Sequence, residues 1–150
     1  MGLFGILLFG CTALFGPDPS SPEGQLAACQ DGQITECRAA GIRYLKGDGV
    51  GQDLTKASEL FATACVEQNM SSCHTLAVLY EEGRGVALDV EKAMGLYQEA
   101  CDGGFSGSCY NLALILEKGG AIPQDFARAN TLYRLGCKAA LPQACSNLGH

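Results

Sequence analysis

The chain has 150 residues, is 47% hydrophobic, lacks tryptophan and carries a formal net charge of −6. This length fits one domain or one short repeat array, and an acidic chain without a basic stripe argues against nucleic acid as a partner. Nine cysteines in so short a chain indicate metal binding or redox chemistry in a reducing compartment, and a disulfide framework outside the cell.

The amino-terminal segment is apolar and uncharged, and it is too short to span a bilayer as a helix, which needs about 20 residues. This pattern predicts a secretory signal over residues 1–16. Within it, the stretch LFGC at 8–11 resembles a bacterial lipobox, so Cys11 is the predicted lipidation site. Two alternatives stay open because no Lys or Arg precedes the apolar run. Cys11 is discarded with an ordinary signal peptide, or the true start lies upstream.

The next segment, residues 17–24, contains three prolines, two serines and one glycine. Proline cannot occupy a helix interior or a central strand, because it lacks the backbone amide and clashes with the preceding turn. The segment is therefore predicted to be a flexible tether, and the folded domain is predicted over 25–150.

Eight of the nine cysteines form four pairs, with a step of eight residues inside each pair and 36 residues between pairs. The pairs are Cys29/Cys37, Cys65/Cys73, Cys101/Cys109 and Cys137/Cys145. This period defines three full units, preceded by a partial unit and followed by a truncated one. In chain order the pieces are residues 25–36, 37–72, 73–108, 109–144 and 145–150. The last piece is either a half-helix that ends the array or the result of a truncated gene.

Each unit carries two apolar stripes at helical spacing, which predicts a helix A, a turn and a helix B. Helix A is expected to end at a glycine: Gly47, Gly83 and Gly119. Helix B is expected to begin after an aspartate N-cap: Asp53, Asp89 and Asp125. A basic residue follows each aspartate by three positions and is interpreted as its surface ion-pair partner: Lys56, Lys92 and Arg128. The buried face of helix B repeats an aromatic residue: Phe61, Tyr97 and Tyr133.

No segment alternates with period two, so no sheet is expected. One helix pair cannot bury its own apolar face, but stacked pairs can. The predicted fold is all-α, a short right-handed α/α solenoid of about three 36-residue helix–turn–helix repeats linked by disulfides.

The cysteine spacing requires a turn inside each bridged pair. Eight residues of unbroken helix separate two Cα atoms by about 12 Å, whereas a disulfide needs about 4.4–6.8 Å. Among the 105 pairings that eight cysteines allow, the repeat favours the local one. Zinc is the competing interpretation, but no C-x-x-C occurs, and His74 and His150 are the only histidines. A thiol oxidoreductase stays open as a third hypothesis, although it also lacks C-x-x-C. No metal and no cofactor are expected.

Three stretches carry a family resemblance: Y-x-x-G-x-G-V-x-x-D at 80–89, K-A-x-x-x-Y-x-x-A-C at 92–101 and L-A-x-x-L-x-x-G at 112–119. They resemble Sel1-like repeats (SLR), relatives of the tetratricopeptide repeats, and the cysteine pairs resemble the family's cysteine-rich secreted bacterial branch. The resemblance implies an α/α superhelix that acts as an adaptor for proteins or peptides. Members of that branch are also described as penicillin-binding proteins with weak β-lactamase activity, which supplies a hydrolase alternative. The third turn, GGAIPQ at 119–124, departs from the usual Gly-x-Gly-Val.

Searches for catalytic motifs find none of Ser-x-x-Lys, Lys-Thr-Gly, Gly-x-Ser-x-Gly or H-E-x-x-H. His74 is a possible general base, but no serine near it is evident from the sequence. The pair Glu81-Glu82 is interpreted as a solvated helix end. No catalytic residue is therefore predicted, and an interaction module is favoured over the alternative of a β-lactamase-like hydrolase.

If the units stack as tetratricopeptide repeats do, helix A lines a concave groove. The groove positions are then Arg38, Ile42, Lys46, His74, Val78, Glu82, Tyr110, Leu114 and Lys118. The chain is predicted to be a monomeric interaction scaffold outside the cytoplasm, either anchored as a lipoprotein or periplasmic or secreted. Its expected partner is a protein, a peptide or a cell-wall component, and any membrane contact would run through the lipid alone.

Overall fold

A computed structural model describes residues 16–148, so Cys11, the predicted lipidation site, lies outside the described residues. This part of the chain forms eight α-helices and no strand. They are α1 Pro22–Gln30, α2 Ile34–Lys46, α3 Leu54–Val66, α4 Met70–Glu82, α5 Val90–Asp102, α6 Ser106–Lys118, α7 Phe126–Lys138 and α8 Pro142–Asn147. Each helix packs mainly on the helices before and after it in the chain, as in a solenoid. The all-α prediction is confirmed.

Helices α2, α4 and α6 are the A helices, and α3, α5 and α7 are the B helices. The A helices begin three residues before the cysteines Cys37, Cys73 and Cys109, at which the sequence placed the unit boundaries. The boundaries at 37, 73, 109 and 145 therefore cut through helices. Helix α1 packs on α2 as a B helix would, and the short helix α8 packs on α7 at the position of a fourth A helix.

The predicted tether over 17–24 is corrected by the structure. Helix α1 already begins at Pro22, because proline is tolerated in the first turn, where its missing amide has no partner. The Ser21 hydroxyl caps that turn by accepting from the amide of Gly24. Arg43 of α2 donates to the carbonyl of Ser20 at 2.9 Å and to Gln25 at 2.6 Å. These bonds attach the segment to the first unit.

The third turn connects its two helices with the same hydrogen bond as the first two turns but with a different backbone conformation. In the first two turns the first and third residues have positive φ: Gly47 75°, Gly49 73°, Gly83 64° and Gly85 73°. In the third turn Ala121 stands at the third position, where a Cβ disfavours the left-handed region, and the positive φ moves to Gly120 at 107°. The amide of Asp125 still donates to the carbonyl of Leu116 at 2.9 Å. The departure from Gly-x-Gly-Val thus leaves the position of α7 intact.

The three aspartates cap the B helices as predicted. Their carboxylates accept from the amides of Lys56, Lys92 and Arg128, each at 2.9 Å. The expected ion pairs are wrong. Because each capping carboxylate binds a backbone amide, the basic side chains find other partners. The ammonium groups of Lys56 and Lys92 lie 4.6 and 4.3 Å from the ring centroids of Tyr44 and Tyr80, and Arg128 donates to Gln98.

Candidate binding surface

Consecutive units meet at joints. Each joint is a short turn between the end of a B helix and the start of the next A helix, and one cysteine pair bridges it. All four predicted disulfides are present, with Cα–Cα distances of 4.5, 4.7, 4.8 and 4.6 Å along the chain. The sulfurs of the first three joints are buried, whereas Cys145 of the fourth joint is exposed. The fourth bridge is therefore the one that a reductant reaches most easily.

The turn in every joint uses one residue in the left-handed region, three positions after the first cysteine. These residues are Gly32 at 88°, Gln68 at 61°, Gly104 at 91° and Ala140 at 62°. Left-handed backbone strains a residue that has a Cβ, so the second and fourth joints carry strain that the glycines avoid. No glycine lies between Cys65 and Cys73. Gln68 lies 36 residues from both Gly32 and Gly104, and this register identifies it as the left-handed residue of its turn.

A buried tyrosine ties three successive helices together in the later units. The hydroxyl of Tyr97 on α5 donates to the carboxylate of Glu81 on α4 at 2.7 Å. The same hydroxyl accepts from the amide of Asn111 on α6 at 3.2 Å. Tyr97 is fully buried, and Glu81 is half-buried. The interpretation of Glu81 as a solvated helix end is therefore wrong, because one of its oxygens is fixed by the next helix.

The third unit repeats this arrangement one period later. The hydroxyl of Tyr133 on α7 donates to the carboxylate of Glu117 at 2.5 Å, and Asn147 of α8 lies at the position that matches Asn111. Burial, followed by the hydrogen bond to Glu117, raises the pKa of Tyr133 to about 12. Burial also raises the pKa of Tyr97, and the bond to Glu81 adds to that shift. Both phenols therefore stay protonated near neutral pH and can donate to the glutamates.

The first unit has apolar side chains or a shorter polar one at the same three positions. Leu45 replaces the glutamate, Phe61 the tyrosine and Thr75 the asparagine. Phe61 is 1% exposed and packs over Gly41, a residue without a Cβ. The core of this unit thus needs no polar partner. All three members change together between units, and this pattern was available in the sequence but was not recognised there.

His74 was predicted to line the groove, but it lies in the contact between two A helices. Its Nδ1 is 2.8 Å from the hydroxyl of Ser108 on α6. Its ring centroid lies 4.8 Å from that of Phe105 and 5.5 Å from that of Tyr97, and burial lowers the pKa of the imidazole. The sequence had shown no serine near His74, and the fold supplies one. Ser108 is fully buried, so a substrate carbonyl has no path to its hydroxyl.

The other predicted groove positions differ in exposure. Arg38, Lys46, Glu82, Leu114 and Lys118 are exposed, and Ile42, Val78 and Tyr110 are half-buried. Tyr110 packs its ring 5.8 Å from that of Tyr133. Ile42, Val78 and Leu114 occupy one position on three successive A helices, which makes an apolar row along them. We call the solvent side of α2, α4 and α6 the A face.

A cavity of about 490 Å³ opens on the A face between α4 and α6. Leu114 and Ile115 line it with apolar surface, and Glu81, Glu117 and Lys118 supply its charges. Leu114 is 37% exposed. Both glutamates are those that the buried tyrosines hold. Sequence reasoning had placed Leu114 and Lys118 in the groove but not the two glutamates.

Within residues 16–148 one group has the spacing of metal ligands, Cys65, Cys73 and Glu99. Its two sulfurs are joined in a disulfide and cannot act as thiolate ligands. No helix in this part of the chain combines the length and apolar character that a bilayer crossing requires.

Comparisons with known families and solved structures agree with the repeat of helix pairs described above. A family model described as the Sel1 repeat matches residues 37–65, 71–105 and 106–141. A comparison with curated proteins finds no match.

Three solved structures share the fold. They are c5321, a protective antigen of uropathogenic Escherichia coli with an SLR fold (TM-score 0.81, 23% identity), a Sel1 repeat protein from Oxalobacter formigenes (0.79, 21%) and cysteine rich protein B of Helicobacter pylori (0.67, 18%). The matches cover 86%, 85% and 87% of this chain. They cover 28%, 51% and 100% of the three other chains, so this chain spans about a quarter to half of the first two.

Proposed function

Because the chain belongs to the Sel1 repeat family, we propose that it is an extracytoplasmic scaffold that holds a protein or peptide segment on its A face. The observation that carries the proposal is the apolar row of Ile42, Val78 and Leu114, of which Leu114 also lines the cavity between α4 and α6. Leu114 is 37% exposed where it lines the cavity, so its side chain is accessible to a partner there. An apolar surface with charged edges is typical of a groove that recognises an extended segment.

The cysteine chemistry supports a location outside the cytoplasm. Structural disulfides persist in oxidising compartments and are rare in a reducing cytosol. A chain with barely three units gains stability from each bridge, which closes a nine-residue loop worth about 2.5 kcal/mol in the chain-entropy model. All four disulfides join cysteines eight residues apart, as expected for a structural framework and not for a single redox centre.

For the amino terminus we propose removal of the secretory signal and lipidation of Cys11. The support is the sequence LFGC at 8–11 and the pairing of the other eight cysteines with one another. Mass spectrometry of the amino-terminal peptide measures the lipid directly. The variant Cys11→Ser should move the protein from the membrane fraction to the soluble fraction. Equal fractionation of the variant and the natural chain would contradict lipidation.

The A face is tested with two leucines of similar exposure on opposite layers. Leu114 of α6 is 37% exposed, and Leu135 of helix B α7 is 46% exposed. Leu114→Glu should abolish binding of peptides selected from an immobilised synthetic library, because it places a charge in the apolar row. Leu135→Glu carries the same charge change and should bind as the natural chain does. Equal binding by both variants would remove the A face as the binding surface.

The hydrolase alternative gains no support from the His74–Ser108 pair. A nucleophilic serine must reach the substrate carbonyl, and Ser108 is fully buried at the contact between α4 and α6. Nitrocefin turnover by the oxidised chain, measured beside Ser108→Ala, tests this directly. Turnover that Ser108→Ala removes would revive the alternative.

A further inference from the structure

We propose that the cavity between α4 and α6 receives a basic side chain, lysine or arginine, from a partner segment that places an apolar side chain beside it on Leu114. This inference rests on the proposed function of the A face and names the chemistry of its occupant. The cavity of about 490 Å³ has the size of a small-ligand pocket. It therefore fits side chains of an extended segment and not the surface of a folded domain.

The acidic groups of the cavity are already oriented. Tyr97 fixes one oxygen of Glu81, and Tyr133 fixes one oxygen of Glu117. A carboxylate held in place loses little conformational entropy when it binds a cation, so more of the interaction appears as affinity. Each tyrosine is anchored in turn because its ring is almost fully buried in the core. The two glutamates are thus held by the fold and differ in this from freely rotating surface carboxylates.

These carboxylates have no cation within the described part of the chain. Two ion pairs occur in residues 16–148, Arg43–Asp48 and Arg84–Glu82, and neither includes Glu81 or Glu117. Lys118 lines the same cavity but pairs with neither glutamate. With two carboxylates and one ammonium, the charged groups of the cavity sum to −1, and the whole chain carries −6. An acidic site in an acidic protein attracts a cationic partner.

The acidic feature is confined to the part of the A face that contains the cavity. In the first unit, Leu45 stands where Glu81 and Glu117 stand in the later units. That end of the face therefore carries apolar Ile42 and Leu45 beside the cations Arg38 and Lys46, and has no carboxylate at this position. At this position of the A helices, carboxylates therefore occur only beside the cavity, and a buried tyrosine orients each of them. This arrangement suits the binding of a cationic ligand in the cavity. The floor of Leu114 and Ile115 then accommodates the methylene stem of the base or its apolar neighbour.

The experiment uses the full oxidised chain and synthetic peptides that vary two neighbouring positions over all residue types. The test variant is Glu81→Gln with Glu117→Gln, because the glutamine oxygen still accepts from each tyrosine while the charge is lost. The matched control is Glu91→Gln with Glu99→Gln, two exposed glutamates of helix B α5. Peptides with an apolar–basic pair should bind best. The test variant should weaken their binding about tenfold or more for each carboxylate lost, as charge-assisted hydrogen bonds do, and the control should not.

Lys118→Gln should tighten the same peptides, because it removes the one repulsive charge in the cavity. Binding to the natural chain should weaken as salt is raised, and the test variant should lose most of this dependence. If apolar–basic and apolar–glutamine peptides bind equally, and Glu81→Gln with Glu117→Gln changes nothing while Leu114→Glu abolishes binding, this inference is overturned and the A-face function stands. If Leu114→Glu also leaves peptide binding unchanged, the proposed function itself is wrong.

Discussion

The first unit and the two later units share one backbone plan but use different chemistry where three helices meet. In the first unit Leu45, Phe61 and Thr75 need no hydrogen bond across the helices. In the second, Glu81, Tyr97 and Asn111 form a polar chain through the core. A buried hydroxyl is costly without partners, so a tyrosine at this position requires its acceptor. This explains why all three positions differ between the first unit and the two later units.

The comparison also separates stability from binding. The apolar set and the polar set both fill the core, since Phe61, Tyr97 and Tyr133 are all at most 2% exposed. Of the two sets, only the polar one supplies carboxylates to the cavity on the A face. The polar units therefore present chemistry to a partner while they keep the packing that holds the array together.

The largest expected effect comes from removing one member of the polar set. Glu81→Leu deprives the buried Tyr97 hydroxyl of its acceptor and should lower the free energy of unfolding by about 1–3 kcal/mol. The triple variant Glu81→Leu, Tyr97→Phe and Asn111→Thr copies the first unit and should lie within about 1 kcal/mol of the natural chain. Urea unfolding measures both. A triple variant as unstable as Glu81→Leu would show that the two chemistries are not interchangeable.

The reverse change should also destabilise, by about 1–2 kcal/mol. Phe61→Tyr introduces a hydroxyl beside Leu45, which offers no acceptor from its side chain. Adding Leu45→Glu and Thr75→Asn should restore most of the loss. The same unfolding measurement checks this. A harmless single Phe61→Tyr would mean that water reaches the first unit and that its apolar set is not a requirement.

The joints offer a smaller effect. Gln68 has a positive φ of 61° and is exposed, so Gln68→Gly should stabilise the chain by about 0.5–1 kcal/mol, as strain is relieved at some cost in unfolded-state entropy. Gly104→Ala is the matched control. Its φ is 91° and a Cβ there would meet no atom within 4 Å, so any loss reports backbone strain alone. Thermal unfolding should move the two variants in opposite directions.

The smallest expected effect is a pH dependence of the free energy of unfolding. It arises from His74, which contacts Phe105 and Ser108 of the third joint. Burial lowers the pKa of His74 from 6.5, so the unfolded chain binds the proton more readily than the folded one. The stability contributed by neutral His74 is present above pH 6.5 and is lost as the pH falls through the folded pKa. His74→Gln should flatten this part of the profile of unfolding free energy against pH. An unchanged profile in His74→Gln would contradict this assignment.

Much of the fold followed from the 36-residue period. The glycine ends of the A helices, the aspartate caps of the B helices and the local cysteine pairs are all set by short-range rules, and the structure contains each of them. Pro22 was misjudged because proline blocks a helix interior but suits its first turn. Gln68 was missed because glutamine carries no conformational signal of its own, and only its register with glycine reveals the turn.

The sequence by itself determined the number of units, the helix pairs and the disulfide framework, because caps, turns and apolar periodicity act over a few residues and recur. Only the tertiary structure decided which polar groups meet. Glu81 and Tyr97 are 16 residues apart, His74 and Ser108 are 34 apart, and their contacts depend on how neighbouring helices stack. The burial of each contact then determined whether its side chains can reach a ligand. It enclosed Ser108 in the core, and it left Glu81 and Glu117 oriented beside an open cavity.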